Sequence, residues 1–424
     1  MRARVDRVTE VERRISPQRI AQRISQLAGI GGLPGGGVNR LPFTVEDGEA
    51  RALFTEWLRD ADLAAWVDGA GNIIGRAEGT NPQAPAVMIG SHLDSQPSSG
   101  RFDGVAGVVA ALEVVEAMCE AAYRHRHAIE VVDFSGEEAG TRFDVSMIGS
   151  RAMVGGVAPQ ELEMRCRLTG MTLREAMASL GINVTALAHS ERPAGSVKAV
   201  VELHVEQGPY LERWGKPVGV VTEVAGAIRL TCIMHGQQAH SGGMPMNERR
   251  DPLAGAAEVV LAVERLAKSR NNPPVVATVA YLDSHPRAVA VIPRTVRMII
   301  DVRSTSQQAR DEVREEIVVA ARSVAAKRRL TLEWGPAWGG APVRFDPEII
   351  GAIEGACRNL GVPFVRMFSG GGHDAMTLSR RFPAGMIFVP SVGGVSHAPE
   401  ELTRIEDLEI GTRVFCRTAC RLCA

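Results

Sequence analysis

The stretch from Val87 to Ala117, VMIGSHLDSQPSSGRFDGVAGVVAALEVVEA, decides the fold. Its first residues form an apolar run that predicts a buried strand, a polar loop follows, and the residues after Gly104 have the apolar spacing of a helix. In a parallel α/β sheet built from such units, ligands bind at the carboxyl ends of the strands. Because the loop carries His92, Asp94 and Asp103, the stretch predicts a cleft lined by these side chains.

His92 and Asp103 are a pair of the kind that binds a divalent cation. Imidazole and carboxylate ligands suit zinc, manganese, cobalt or nickel. Asp94 lies two residues after His92, where it could hold the second imidazole nitrogen. The other interpretation of this stretch alone is a histidine at the end of a strand and an aspartate that caps the following helix.

Three further apolar segments, residues 128–134, 197–205 and 384–391, have the same strand character. The polar residues at or after their ends are Glu137, Glu138, His204, Gln207 and His397. Solvated surface charge is the alternative interpretation for the two glutamates. Because the carboxyl ends of parallel strands meet at one edge of a sheet, several strands ending in metal-type ligands favour a shared site over coincidence.

The pattern changes between residues 211 and 329, where short alternating strands surround two amphipathic helices. This pattern is typical of a small α+β domain inserted into a larger one. We therefore predict an α/β fold whose large domain is discontinuous, comprising residues 1–210 and 330–424. It has a mostly parallel central sheet flanked by helices, and the inserted domain covers residues 211–329.

The composition excludes several classes of partner. Lys and Arg number 48 against 49 Asp and Glu, a balance that argues against nucleic acid or an anionic membrane as the main partner. No apolar run is long enough to span a bilayer, and the first residues lack a secretory signal, so we expect a cytoplasmic protein. The seven cysteines are scattered, which argues against a disulfide framework.

The motifs together resemble the hydantoinase/carbamoylase group of the zinc-dependent aminoacylase and carboxypeptidase superfamily. This group includes N-carbamoyl-L-amino acid hydrolases, β-ureidopropionases and allantoate amidohydrolases. The resemblance runs over nearly the whole chain. The matching motifs, in the family's order, are GSHLDSQPSSGRFDGVAG, EEAGTRF, ELHVEQGPYLE, GQQAHSGGMPMNERRDPL, SGGGHDA and MIFVPSVGGVSHAPEE.

The resemblance implies two divalent metal ions per subunit, either zinc or manganese, cobalt or nickel. His92 and His204 would bind one ion, and Glu138 and His397 would bind the other. Asp103 would bridge both ions. Such a pair of cations lowers the pKa of a water molecule and so supplies a nucleophile near neutral pH.

The resemblance also implies roles for four further residues. Glu137 would be the general base, and Gln207 would contact a small-molecule substrate. His240 would reach the active site of a partner subunit, bind substrate there and stabilise the oxyanion, which makes the inserted domain a dimerisation and lid domain of a homodimer. Arg303 would pair with the substrate carboxylate. From sequence alone, a surface-loop histidine and an arginine on an edge strand are the ordinary alternatives for His240 and Arg303.

One segment departs from the family pattern. The family usually has PNAxNVIPG where this chain has PRAVAVIPR, so Ala290 replaces the second asparagine and Arg287 the first. In the family the second asparagine helps to hold the substrate, and loss of a polar contact in a desolvated pocket costs about 1–3 kcal/mol. We expect weak affinity for the usual substrates, unless Arg287 compensates or the substrate differs.

The sequence thus predicts a metal-dependent hydrolase that acts on carbon–nitrogen bonds other than peptide bonds. The substrate would be an N-carbamoyl-L-amino acid or a ureide similar to allantoate. A dipeptidase or aminoacylase of the same superfamily is one alternative. A catalytically weak relative that is used for binding is the other.

Overall fold

The computed structural model describes residues 7–424 of the chain. Its strands are β1 Ala64–Val67, β2 Ile73–Ala77, β3 Ala86–Ser91, β4 Ile129–Asp133, β5 Val197–Val205, β6 Val218–Val224, β7 Gly226–His235, β8 Ala239–His240, β9 Val275–His285, β10 Val291–Ile292, β11 Thr295–Ser304, β12 Thr331–Trp334, β13 Trp338–Gly339, β14 Val343–Arg344, β15 Phe364–Ser369 and β16 Ala384–Val389. Its α-helices are α1 Arg7–Glu12, α2 Pro17–Gly29, α3 Val45–Asp60, α4 Val105–Glu120, α5 Gly140–Phe143, α6 Ile148–Met153, α7 Leu173–Ser179, α8 Tyr210–Trp214, α9 Pro252–Lys268, α10 Gln307–Arg328, α11 Pro347–Leu360, α12 Asp374–Leu378 and α13 Ile405–Cys423.

The large sheet is parallel at its centre, which confirms the predicted α/β class. Its strand order is β1-β2-β4-β3-β5-β16-β6, and β15 also pairs with β6. The four strands β4, β3, β5 and β16 run parallel to one another, whereas β1, β2 and β6 pair antiparallel at the two sides. Helix α4 packs across the three strands β3, β4 and β5.

The stretch around His92 folds as a strand, a loop and a helix, as predicted. Strand β3 is buried at every residue, and α4 begins at Val105. Gly104 precedes the helix with φ +66°, and a Cβ atom there would lie 2.4 Å from the His92 ring. A glycine is therefore required for the helix to begin so close to this histidine.

The described chain forms two compact units. The large unit contains residues 7–222, 345–367 and 373–424, and the small unit contains Glu223–Arg344 and Phe368–Gly372. These limits differ from the predicted inserted segment 211–329. Residues 219–221 of β6 pair with β16 in the large sheet, and β12 pairs with β7 in the small sheet, so both boundaries of the small unit lie later in the chain than predicted.

The small unit contains an antiparallel sheet in the order β12-β7-β11-β9. Buried and less buried residues alternate along β11, as expected for a strand with one covered face. Helices α9 and α10 pack on this sheet, and their N-termini are capped by the side chains of Asp251 and Ser306. The core comprises residues such as Val259, Val263, Met298, Ile300, Val313 and Ile317. Within residues 7–424, no helix has both the length and the apolar character that a bilayer crossing requires.

Candidate metal centre and active site

The ends of four strands bring the five predicted ligand residues together in the large unit. Side-chain atoms of His92, Asp103 and His204 lie within 4.8 Å of one another, and so do those of Asp103, Glu138 and His397. Asp103 is common to both groups, and the two groups therefore meet at its carboxylate.

The histidines of the first group are held by backbone carbonyls. The Nδ1 atom of His92 lies 2.9 Å from the Asp94 carbonyl, and the Nδ1 atom of His204 lies 2.9 Å from the Val205 carbonyl. Because a carbonyl only accepts, Nδ1 of each ring carries the proton. The Nε2 atoms then face Asp103 Oδ1, at 3.9 Å from His92 and 3.1 Å from His204.

Asp94 contacts the second imidazole nitrogen of His92 through its backbone. Its carbonyl rather than its carboxylate holds the imidazole, and its Oδ1 atom is 3.8 Å from His92 Nδ1. Its Oδ2 atom accepts a hydrogen bond of 2.7 Å from the backbone N–H of Glu138. Asp94 therefore connects the loop that carries His92 to the turn that carries Glu138.

The second group is more open than the first. The Nε2 atom of His397 lies 2.9 Å from Asp103 Oδ2 and 3.5 Å from Glu138 Oε1. The Gln207 amide nitrogen lies 3.2 Å from Asp103 Oδ2 and 3.1 Å from His397 Nε2. Gln207, predicted to contact substrate, thus contributes a polar group at the edge of this cluster.

Burial and close packing shift the pKa values of the cluster in opposite directions. Burial raises the pKa of Glu138 to about 7, and Asp103 acts in the same direction. Burial and the neighbouring Glu138 raise the pKa of Glu137 well above its usual range. Burial lowers the pKa of His92 to about 4. Burial also lowers the pKa of His204, but Asp103 outweighs this effect and raises it to about 9.

These donor atoms match a divalent metal ion. Asp103 Oδ1 is buried and accepts no hydrogen bond from the described residues, although it lies between two imidazoles. Imidazole nitrogens together with carboxylate oxygens are the ligands that zinc and similar cations take. The chemistry of the cluster therefore indicates divalent metal binding.

Glu137 precedes Glu138 in the 3₁₀ turn Glu137–Ala139. It is buried, yet its carboxyl group belongs to neither donor group. The adjacent glutamates thus differ in environment, because Glu138 faces His397 and Glu137 belongs to neither donor group.

Sequence reasoning missed Gln96 and Glu202. The Gln96 amide donates to Glu138 Oε2. Glu202 accepts from the Ser91 hydroxyl and from the backbone N–H of Ala375, both at 2.8 Å. The His373 ring packs 4.6 Å from that of His204. For Glu202 a signal existed, because alternate residues of a strand share a face and it lies two residues before His204.

His240 lies in the small unit, where β8 pairs with β10. Its Nδ1 atom accepts hydrogen bonds from the backbone N–H groups of Gly242 and Gly243, at 3.0 and 3.1 Å. An accepting Nδ1 carries no proton, so the proton of the neutral ring is on Nε2. His240 is exposed and can therefore present an N–H donor to a ligand.

Arg303 also lies in the small unit and is held in a fixed orientation. Its Nε and one Nη atom donate to both carboxylate oxygens of Asp301, at 2.8 and 3.2 Å, and the other Nη donates to the Gly370 carbonyl at 2.9 Å. Arg303 borders a cavity of about 320 Å³. Apolar residues that line this cavity include Ala225, Pro274, Val276, Ala280 and Phe368.

Comparisons with known proteins agree on the family to which this chain is similar. The model of peptidase family M20/M25/M40 matches residues 88–421. An N-carbamoyl-L-amino acid amidohydrolase of Geobacillus stearothermophilus is 42% identical over 408 residues, which are 96% of this chain and 99% of that protein. A ureidoglycolate hydrolase of Arabidopsis thaliana is 33% identical over 409 residues, 95% of this chain and 86% of that protein.

A solved structure is similar over the same extent. The crystal structure of a hydantoinase/carbamoylase family amidase from Burkholderia vietnamiensis has a TM-score of 0.89 and 33% sequence identity, with 97% of this chain and 98% of that chain covered. The chain therefore belongs to the peptidase family M20/M25/M40 and, within it, to the hydantoinase/carbamoylase amidases.

Proposed function

We propose that this chain is a metal-dependent amidohydrolase that cleaves the linear, non-peptide C–N bond of an N-carbamoyl-L-amino acid or a ureide. The observation that carries the proposal is the meeting of two donor groups at Asp103, with Glu137 beside them. The names of the two relatives given above describe hydrolysis of a carbamoyl and of a ureide substrate, and both relatives match nearly the whole chain.

In this proposal the two donor groups hold two divalent cations, with Asp103 shared between them. Such a pair of bound cations would lower the pKa of a water molecule and polarise the carbonyl group of the substrate. The carbonyls of Asp94 and Val205 support this role, because they keep Nε2 of His92 and His204 directed at Asp103.

Glu137 would act as the general base and then as the general acid. It would take a proton from the attacking water and deliver it to the leaving nitrogen. The high pKa that burial and Glu138 impose on the Glu137 carboxyl supports this role, because a carboxyl group that holds its proton can return it to the nitrogen. Glu138 differs, since it belongs to a donor group.

His240, Gln207 and Arg303 would bind the substrate. The Nε2–H of His240 suits a developing oxyanion, and it would act in the active site of a partner subunit, with the small unit as the dimerisation domain. The guanidinium of Arg303 would bind the substrate carboxylate, as this group does in many binding sites. The homodimer and the cytoplasmic location stay predictions.

The test is a substrate screen of the purified chain after loading with zinc, manganese or cobalt. N-carbamoyl-L-amino acids, allantoate and dipeptides are offered, and released ammonia or amine is measured. We expect ammonia from a carbamoyl or ureide substrate, and for a carbamoyl amino acid also carbon dioxide and the free amino acid. Faster hydrolysis of dipeptides than of every carbamoyl compound and ureide would contradict the proposal.

A further inference from the structure

Glu401 connects the segments that carry Asp103 and His397. It is buried, with 4% of its surface exposed. Its Oε1 atom accepts hydrogen bonds from the backbone N–H groups of Phe102 and Asp103, at 2.9 and 3.0 Å. Its Oε2 atom accepts a hydrogen bond of 2.6 Å from the hydroxyl of Ser396, the residue before His397.

Gly100 leaves the space that this carboxylate needs. A Cβ atom at Gly100 would lie 2.2 Å from Glu401 Oε1 and 2.3 Å from Glu401 Cβ. Any side chain at residue 100 would therefore push Glu401 away from the backbone of Asp103. The loop before Asp103 thus accommodates Glu401 in two ways: its backbone N–H groups donate to the carboxyl group, and Gly100 leaves room for the side chain.

We propose that Glu401 is a positioning residue that sets the distance between Asp103 and His397. Asp103 and Glu401 are 298 positions apart, so chain connectivity alone does not hold the two loops together. His397 has a half-exposed side chain and a φ of +54°. Three hydrogen bonds to one buried carboxyl group would supply a restraint, because they join the backbone before and at Asp103 to the residue before His397.

This inference rests on the proposed metal sites and adds a residue that no donor group contains. Without Glu401, the shared carboxylate and His397 would lose their fixed separation, and a cation between them would be held less tightly. Loss of a partner that orients a metal ligand lowers metal affinity by about 10- to 100-fold. A side chain that only filled space would affect unfolding without this selective loss.

Four variants distinguish a residue that positions metal ligands from one that only fills space. Glu401→Ala removes the three bonds, and Gly100→Ala displaces the carboxylate from the opposite side. Glu401→Gln keeps the shape, because its amide oxygen can still accept both N–H groups and its NH₂ group can donate to Ser396. Glu400→Ala is the matched control, since Glu400 is the exposed neighbour.

The experiment measures zinc and manganese affinity of the metal-free proteins by competition with a coloured chelator, together with the melting temperature. We expect binding about 10- to 100-fold weaker in Glu401→Ala and Gly100→Ala, with Glu401→Gln and Glu400→Ala within about threefold of wild type. Wild-type affinity in Glu401→Ala, or an equal loss in Glu401→Gln, would overturn the proposal.

Ser396→Ala keeps the test decisive if Glu401→Ala does not fold. It removes one hydroxyl group, so weaker metal binding at an unchanged melting temperature supports the role of Glu401, and unchanged binding overturns it. Failure of the proposed function and failure of the Glu401 proposal would also give different results. A wild-type chain that bound neither cation would overturn the proposed function as well, whereas a wild-type chain that binds metal and resists these variants refutes only the role of Glu401.

Discussion

The Nε2 atom of His204 lies 3.1 Å from Asp103 Oδ1, while Nδ1 of the same ring lies 2.9 Å from the Val205 carbonyl. The ring is thus fixed at one nitrogen and directed at a carboxylate with the other. Although burial opposes it, Asp103 raises the pKa of His204 to about 9, so the imidazole favours its protonated form when no cation is bound. Cations and protons therefore compete for the same atoms.

Metal affinity should rise with pH. At about pH 6, Glu138, with its pKa raised by burial to about 7, and His204, with its pKa raised by Asp103 to about 9, both hold protons that a cation must displace. As the pH rises through these values each proton is lost, and the apparent affinity should increase about tenfold per pH unit for each displaced proton. Chelator competition between about pH 6 and 9 and proton release on metal addition are the measurements. A constant affinity over this range would contradict the assignment of these ligands.

Glu137→Gln should lower kcat by about 10²- to 10⁴-fold, because the amide cannot transfer the proton. Metal content should stay at the wild-type level, since Glu137 belongs to neither donor group. Ammonia release under substrate saturation and metal analysis of the same sample are the two measurements. Glu400→Ala is the control and should retain activity. Full turnover by Glu137→Gln would show that another group is the base.

His240→Ala should lower kcat by about 10²- to 10³-fold, as expected for loss of an oxyanion donor. If the imidazole acts in the partner's active site, mixing this variant with Glu137→Gln chains should restore part of the activity. Each mixed dimer would then contain one site with both Glu137 and His240. The two variants are unfolded together and refolded, and the activity is compared with that of each variant refolded alone. No gain on mixing would argue against action between subunits.

The proximity of the five donor residues could be predicted because each lies near the end of a strand or in the loop that follows it, and the carboxyl ends of parallel strands share one edge of the sheet. The contacts that orient them could not. Nothing in the sequence distinguishes the carbonyl of Asp94 from its carboxylate as the partner of His92, since both are two residues away. Glu401 is equally hidden, because its partners Phe102 and Asp103 lie in another part of the chain.

The boundaries of the small unit could not be predicted from sequence patterns either. Strand β6 would have the same apolar character in either sheet, and its pairing with β16 and β15 is what assigns it to the large sheet. The segment Phe368–Gly372 returns to the small unit over only a few residues, too few to produce a pattern of their own.

Ala290→Asn should improve both local stability and substrate affinity. Ala290 has φ +66°, a conformation in which asparagine is more stable than alanine by up to about 1 kcal/mol. The Ala290 carbonyl accepts a hydrogen bond of 2.9 Å from the backbone N–H of Ser241, and Val291 pairs with His240. A side-chain amide at residue 290 would therefore lie close in the fold to His240, the proposed oxyanion donor. An added polar contact worth about 1–3 kcal/mol would lower KM for an N-carbamoyl-L-amino acid by roughly 5- to 150-fold.

Val289→Asn is the matched control for this prediction, because it adds the same amide at a neighbouring residue that is 98% exposed. It should leave KM unchanged. Steady-state kinetics and thermal unfolding of both variants separate the two effects of Ala290→Asn. A higher melting temperature with an unchanged KM would mean that residue 290 affects the backbone alone, and that no amide at that position holds the substrate of this chain.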